Sequence, residues 1–435
     1  MPLVPSAFLS RCIPGLWIMG VALADGMLHA AEPAFAPWET SRDPVALLWE
    51  RISRSQVRMD VSNPQAFLRQ LLQELEIPIA SQVLVFSKTS LQNSLISPRT
   101  PRAIYFSEEA YAGWCQDGLF ELIGIDPENG PQFYTLSFPY LRGEKPELAT
   151  SETCISCHES SRTEGVQGML VRSVYTDQDG QPLLREGSFV TGHESPLHER
   201  WGGWYVTGRH GSDLHMGNGI ARETADTVLL DRSIGANVTS LESFFPTRPY
   251  LTNSSDLVAL MVLEHQCTMH NLITGAGRSC REAMARQRDL QKAFGEPVTD
   301  VPEGSAAGVI HNQAEKLLKH LLYCGEYALQ DDGVDGGDAF QDAFRGNRLE
   351  SRDGRSLKDF QLLTRLFKYR CSYMIYSKSF EALPTQLRAE LAIQLNRVLS
   401  GEDNRPEFAH LSSSERATIR EILIDTKPEV LQTSR

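Results

Sequence analysis

The fold class is decided by the segment PRAIYFSEEAYAGWCQDGLFELIGIDPENGPQFYTLSF, residues 101–138. It contains short runs rich in β-branched and aromatic residues, separated by residues that favour turns. The run Asp126-Pro127-Glu128-Asn129-Gly130 is suited to reversing a strand. Comparable short runs continue to WGGWYVTG, residues 201–208. These patterns predict a small antiparallel sheet.

The pattern changes to helical periodicity after about residue 254. The segment SSDLVALMVLEHQCTMHNLITGAG, residues 254–277, opens with a Ser-Asp cap signal and then places leucines and Met261 on one helical stripe. Further helices are expected near residues 305–324, 356–379, 385–400 and 412–425. The predicted fold is α+β: a small antiparallel sheet domain, which resembles domains built on a PAS-like core, followed by an all-helical C-terminal domain.

We expect four regions along the chain. Residues 1–24 read as a signal peptide, with an apolar run after Arg11 and a cut that falls after residue 24 or as late as residue 31. The alternative is a buried N-terminal helix. The remaining regions are an irregular and helical lead-in at 32–100, a β-rich domain at 101–250 and a helical domain at 251–435.

Composition excludes several classes of protein. The chain has 435 residues, of which 41% are hydrophobic, so it can bury a sizeable core and is neither disordered nor fibrous. With 42 basic and 55 acidic residues its formal charge is −13, which disfavours sequence-independent binding to nucleic acid or anionic lipid. No later segment reaches about 18 uninterrupted apolar residues, so no transmembrane segment is expected in the mature chain.

The motif Cys-x-x-Cys-His occurs once, as Cys154, Cys157 and His158. Covalent haem c needs two thiols at this spacing for the porphyrin's vinyl groups and a histidine directly after them for the iron. Structural zinc would need about two further ligands nearby, and thioredoxin-type redox chemistry would need the pair at the start of a helix after a buried strand. The sequence therefore predicts one covalent haem c, with His158 as proximal iron ligand.

The second axial ligand is left open by the sequence. Residues 191–218 contain four of the eleven histidines together with several aromatic and arginine side chains that suit the surroundings of a haem. The distal candidates are His193, His215 and Met216. His265, on the long helix, is a remote candidate, since its stripe with Met261 and Met269 is more typical of core packing.

Several segments resemble a family of exported bacterial cytochrome c domain-containing proteins. They include PRAIYFSEEAYAGW, CISCHESSRTEGVQGMLVRSV, SPLHERWGGWYVTGRHG, HMGN, SDLVALMVLEHQCTMHNLIT and KYRCSYMIYS, and they extend from about residue 100 to the C-terminus. The resemblance implies an export signal and one covalent haem c held by Cys154, Cys157 and His158. It places His193 and the His215–Met216 pair in the haem's surroundings and implies no substrate.

Three functions fit these expectations. The first is a periplasmic or secreted mono-haem cytochrome that exchanges electrons with an unknown redox partner protein. The second is a haem-based sensor or ligand-binding module, and the third is a haem-dependent oxidoreductase with an open iron site. Peroxidases of the di-haem type would need a second Cys-x-x-Cys-His, which the sequence lacks. The size of the helical half suggests docking or dimerisation.

Overall fold

The computed structural model describes residues 40–139, 144–150, 154–155, 158–330 and 332–432. The predicted α+β class is confirmed, because an antiparallel sheet is followed by a helical C-terminal region. The expected signal peptide and Cys157 lie outside the described residues.

The helices and strands follow each other along the chain. The α-helices are α1 (Pro44–Ser53), α2 (Pro64–Glu74), α3 (Leu257–Phe294), α4 (Gly304–Leu321), α5 (Asp338–Arg345), α6 (Lys378–Glu381), α7 (Thr385–Leu399) and α8 (Ser413–Thr426). The strands are β1 (Val83–Val85), β2 (Arg102–Phe106), β3 (Ala110–Trp114), β4 (Phe120–Asp126), β5 (Gly130–Leu136), β6 (Leu148–Ala149), β7 (Arg172–Val174), β8 (Ser188–Val190), β9 (Trp204–Tyr205), β10 (Arg222–Glu223) and β11 (Val228–Leu229). Short 3₁₀ turns include Ser161–Thr163 and Tyr373–Tyr376.

The main sheet has the strand order β6-β5-β4-β3-β2-β1-β9 in the described part of the chain, and each neighbouring pair is antiparallel. The expected reversal between β4 and β5 is present: Asp126 pairs with Gly130, whose φ is 75°. The Asp126 carboxylate accepts hydrogen bonds from the backbone N–H of Glu128 and Asn129, at 3.0 and 2.8 Å. The lead-in contributes β1, which joins β2 to β9.

The two faces of the sheet are covered by different layers. One face packs on α3 and, through it, on the C-terminal helices, in a core that includes Phe133, Leu260 and Leu318. The other face is covered by α1, α2 and the segment 238–251. Because successive side chains of a strand point to opposite faces, neighbours such as Phe133 and Tyr134 belong to different cores.

Helix α3 is the centre of the larger core. The Asp256 side chain caps it, as the Ser-Asp signal predicts, by accepting from the Ala259 N–H at 3.0 Å. It ends at Gly295, whose φ of 70° suits the left-handed position after a helix. Almost every residue from Leu257 to Gly277 is buried, which is typical of a helix enclosed by other elements. No described helix is both long and apolar enough to cross a membrane.

The prediction of a helix at 356–379 is wrong. The segment forms a tight turn, with Phe360 bridged to Phe367, and only a 3₁₀ turn and the start of α6 follow it. The Gln361 side-chain oxygen accepts from the backbone N–H of Leu363, Thr364 and Arg365. These backbone N–H groups are therefore not available for the i to i−4 hydrogen bonds that a helix needs.

Asp43 attaches the lead-in to the sheet. Its carboxylate is fully buried and caps α1 through the N–H groups of Val45 and Ala46, at 2.8 and 3.1 Å. It also accepts a hydrogen bond from the Tyr134 hydroxyl at 2.6 Å. The carboxylate lies against Gly124, where an added Cβ would come within 1.8 Å of its oxygen. One buried side chain therefore joins α1, β4 and β5.

We expect Asp43→Ala to lower the free energy of unfolding by about 2–4 kcal/mol, since it removes a helix cap and leaves a buried hydroxyl without its acceptor. Tyr134→Phe, the matched control, removes only one hydrogen bond and should cost about 1 kcal/mol. Urea denaturation of the variants measures both values. Equal stability of Asp43→Ala and the wild type would contradict this role.

Candidate functional site

The predicted haem-attachment segment follows β6. Cys154, Ile155 and His158 have helical backbone, and the Glu159 N–H donates to the Ile155 carbonyl at 2.9 Å. Ser160 then caps the next 3₁₀ turn, where its hydroxyl accepts from the Arg162 N–H at 3.2 Å. Cys154 is half-buried at the edge of the larger core.

His158 is held in one orientation by its surroundings. Its Nδ1 lies 2.9 Å from the Gly168 carbonyl oxygen, which can only accept, so Nδ1 carries the proton and donates. The ring also packs on Phe133, with 4.3 Å between ring centroids. Burial lowers the pKa of His158, which keeps the imidazole neutral near pH 7. Nε2 is therefore the ring nitrogen whose lone pair can bind a metal.

The backbone that holds His158 is itself held by α3. The Asn271 side chain accepts from the Met169 N–H at 2.9 Å and donates to the Met169 carbonyl at 2.7 Å. A Cβ on Gly168 would lie 2.4 Å from the Asn271 side-chain oxygen, so only glycine allows this close approach. Asn271 of helix α3 therefore holds the backbone next to Gly168, the residue to which His158 is hydrogen-bonded.

His193 does not belong to the surroundings of His158 described above; it lies in a group of three histidines. His193, His265 of α3 and His320 of α4 form the histidine cluster, in which one ring nitrogen of each lies within 4.8 Å of those of the other two. The Nδ1 atoms of His193 and His265 are 3.0 Å apart. The rings of His193 and His320 stack, with centroids 4.1 Å apart.

In the histidine cluster His193 and His265 are buried and His320 is partly exposed, and all three rings are neutral near pH 7. Burial lowers the pKa of His193 to about 4. For His265 and His320 burial, together with the neighbouring histidines, lowers the pKa well below its usual value. Three neutral imidazoles therefore face each other near pH 7.

An ion pair buried beside the histidine cluster fixes the loop that carries His193. Arg200 donates from Nη1 to the Glu264 carboxylate at 2.8 Å, and both side chains are almost fully buried. The same guanidinium donates to the backbone carbonyls of Ser195 and His193, at 2.7 and 3.1 Å. Burial raises the pKa of Glu264 to about 7 although Arg200 opposes this shift. The pair ties residues 193–200 to α3.

His215 and Met216, the other distal candidates, pack in a third position. The His215 ring lies 4.4 Å from that of His210 and 5.2 Å from that of Trp201. Its Nδ1 is buried without a hydrogen-bond partner among the described residues, and burial lowers the pKa of His215 to about 3. The Met216 sulfur accepts from the Ser173 hydroxyl at 3.7 Å.

The structure gives each predicted iron ligand its own set of contacts. Within the described residues no hydrogen bond or ring contact joins His158 to His193, His215 or Met216. Instead it gathers His193 with His265 and His320. No sequence signal selects His320, whose neighbours on α4 are ordinary for an amphipathic helix.

Two surface cavities lie elsewhere. One, of about 440 Å³, is lined by α7 and the chain end, including Leu395 and Lys427. The other, of about 410 Å³, lies between α2 and α5 and is lined by Phe106 and Phe344 among others. Neither contains a predicted haem ligand.

Comparison of the chain with protein-family models, with curated proteins and with solved structures found no match.

His270, also on α3, has both ring nitrogens buried without a hydrogen-bond partner among the described residues. Burial lowers its pKa to about 4, against about 6.5 in an unfolded chain. Since the folded pKa is the lower one, the stability that the neutral ring retains above pH 6.5 is lost as the pH falls towards 4.

The free energy of unfolding should fall between pH 7 and pH 5 in the wild type. We expect this fall to be smaller by about 1–2 kcal/mol in His270→Leu, because one proton fewer is taken up on unfolding. Urea denaturation at both pH values measures this. His198→Leu, at an exposed position, controls for the general effect of losing a histidine. A pH dependence of His270→Leu identical to that of the wild type would contradict the assignment.

Proposed function

We propose that this chain is an exported mono-haem c-type cytochrome that passes electrons to a partner protein through one covalently bound haem. The Cys-x-x-Cys-His spacing supports the attachment chemistry. The observation that carries the proposal is the hydrogen bond from His158 Nδ1 to the Gly168 carbonyl at 2.9 Å. Histidines that bind metals commonly donate their second ring N–H to a carbonyl, which orients the ring and makes the other nitrogen more basic.

The residues present fit a haem c. Cys154 and Cys157 would form the thioether bonds, and His158 Nε2 would bind the iron. When bound, the haem supplies one-electron iron redox chemistry. The bond to Gly168 and the packing on Phe133 fix the imidazole plane. Asn271 holds the loop backbone that accepts this bond.

The apolar signal-like segment and its possible cleavage sites support export, which is the condition for covalent haem attachment in this proposal. Two buried residues would be candidates for a second iron ligand: His215, whose ring lies 5.2 Å from that of Trp201, and Met216. His193 is engaged with His265 instead.

We expect the mature protein, expressed with a cytochrome c maturation system, to carry about one haem per chain that resists acid-acetone extraction, as the single attachment motif requires. Cys154→Ala with Cys157→Ala should abolish covalent attachment. Cys280→Ala, a buried cysteine of α3, is the matched control and should keep the haem. The pyridine haemochrome spectrum measures haem content.

A colourless mature wild type from such a host would overturn the proposal. So would haem content in the double cysteine variant equal to that of the wild type, because the motif would then not be the attachment site.

Electron transfer makes a further prediction, since both axial positions of the iron should be filled by protein. We expect a low-spin spectrum in both redox states and no change when carbon monoxide is added to the reduced protein. Of the variants His215→Ala and Met216→Ala, one should lose the low-spin bands, and His193→Gln should keep them. Visible spectroscopy measures all of these outcomes.

Ready binding of carbon monoxide by the wild type would contradict electron transfer and favour a ligand-binding haem. Unchanged low-spin bands in both His215→Ala and Met216→Ala would exclude these residues as axial ligands.

A further inference from the structure

We infer that His193, His265 and His320 form a second metal site, which binds one divalent ion of the zinc or copper type through three imidazoles and leaves a fourth position open. The site is separate from the proposed haem-attachment motif. It goes beyond the proposed function and does not depend on it.

The first support is the arrangement of ligand atoms. Three ring nitrogens lie within 4.8 Å of one another, and two of them are 3.0 Å apart. Two ligand nitrogens of a tetrahedral zinc ion are about 3.3 Å apart, given zinc–nitrogen distances of about 2.0–2.1 Å. The His320 ring stacks on His193, with 4.1 Å between ring centroids, and would have to leave that stack to share an ion with the other two rings.

The second support is the outer hydrogen-bond partners. His193 Nε2 lies 3.3 Å from the Cys324 carbonyl oxygen, which can only accept, so the proton is on Nε2 and the lone pair is on Nδ1. His265 Nε2 lies 2.7 Å from the Ser372 hydroxyl. Both Nδ1 atoms thus point inward while both Nε2 atoms are held from behind, as second-shell partners hold metal ligands.

The third support is that hydrogen bonds among the described residues leave one ring nitrogen of the histidine cluster without a partner. A proton on His265 Nδ1 could bridge to His193, with Ser372 donating to His265 Nε2. That network leaves His320 Nε2 buried with no partner in the described part of the chain. A buried nitrogen without a partner costs free energy, and a shared cation would satisfy it.

The ligand set selects the class of ion. Imidazole suits zinc, copper and nickel, whereas calcium and magnesium require oxygen ligands. The buried carboxylate of Glu264, next to His265 in the sequence, is engaged, since it pairs with Arg200. Three protein ligands with an open position are typical of zinc sites that bind a water molecule or a small anion.

The test uses the full mature protein, stripped with a chelator and titrated with Zn²⁺ or Cu²⁺. We expect one equivalent to bind the wild type, and His320→Gln to weaken binding by at least about 100-fold, more than the loss of an outer partner would. His311→Gln is the matched control, since His311 is exposed on the same helix. Ser372→Ala should weaken binding about 10- to 100-fold.

Two readouts distinguish this site from surface binding and from the haem. The Cu²⁺ form should show electron paramagnetic resonance splitting from three nitrogens, reduced to two in His320→Gln. Haem content should be equal in the wild type and His320→Gln, whereas the double variant of Cys154 and Cys157 should keep the metal. Elemental analysis of protein isolated without chelator decides between zinc and copper.

Equal affinity of wild type and His320→Gln would overturn the inference, as would failure of the stripped wild type to bind either ion. The thermal midpoints of the metal-free variants must match that of the wild type. If His320→Gln does not fold, His265→Gln and Ser372→Ala decide the question, and wild-type affinity in both would exclude the site.

Discussion

The structure depends on the need to satisfy polar groups on a helix that is buried on all sides. From Leu257 to Gly277 helix α3 is enclosed, yet it carries charged, imidazole and amide side chains there. Because an unpaired polar group costs free energy in the interior, each of these except His270 recruits a partner from another segment. Glu264 recruits Arg200, and Asn271 recruits the backbone of Met169. The candidate sites are consequences of these pairings.

Gln266 shows how the same constraint joins the two halves of the chain. Its amide donates to the Tyr111 hydroxyl of the sheet and accepts from the Tyr373 hydroxyl of the C-terminal region, at 2.6 and 2.8 Å. A single side chain of α3 therefore connects β3 to the segment before α6. His270 is the exception on this helix, since it has no such partner among the described residues, and it makes the fold sensitive to acid.

The sequence was sufficient where the signal was local. The Asp126 turn and the Asp256 cap depend on a few consecutive residues, so their chemistry could be read directly from the sequence. The prediction of a helix at 356–379 was wrong because the Gln361 side chain accepts hydrogen bonds from the backbone N–H groups. Hydrophobic periodicity does not reveal this competition. The histidine cluster could not be predicted, because His193, His265 and His320 are far apart in sequence and meet only through packing of α3 on α4.

The two candidate sites share α3 but leave it in different directions. His265 and Asn271 are six residues apart, which corresponds to about 9 Å along the axis and about 120° around it. The His265 side chain therefore faces α4 and Ser372, while Asn271 faces the loop that holds His158. A ligand at one site would act on the other through α3 or through α4, since Lys316 of α4 pairs with Glu164 in the loop after His158. A change confined to the His320 side chain leaves both connections in place, so the surroundings of His158 should stay intact.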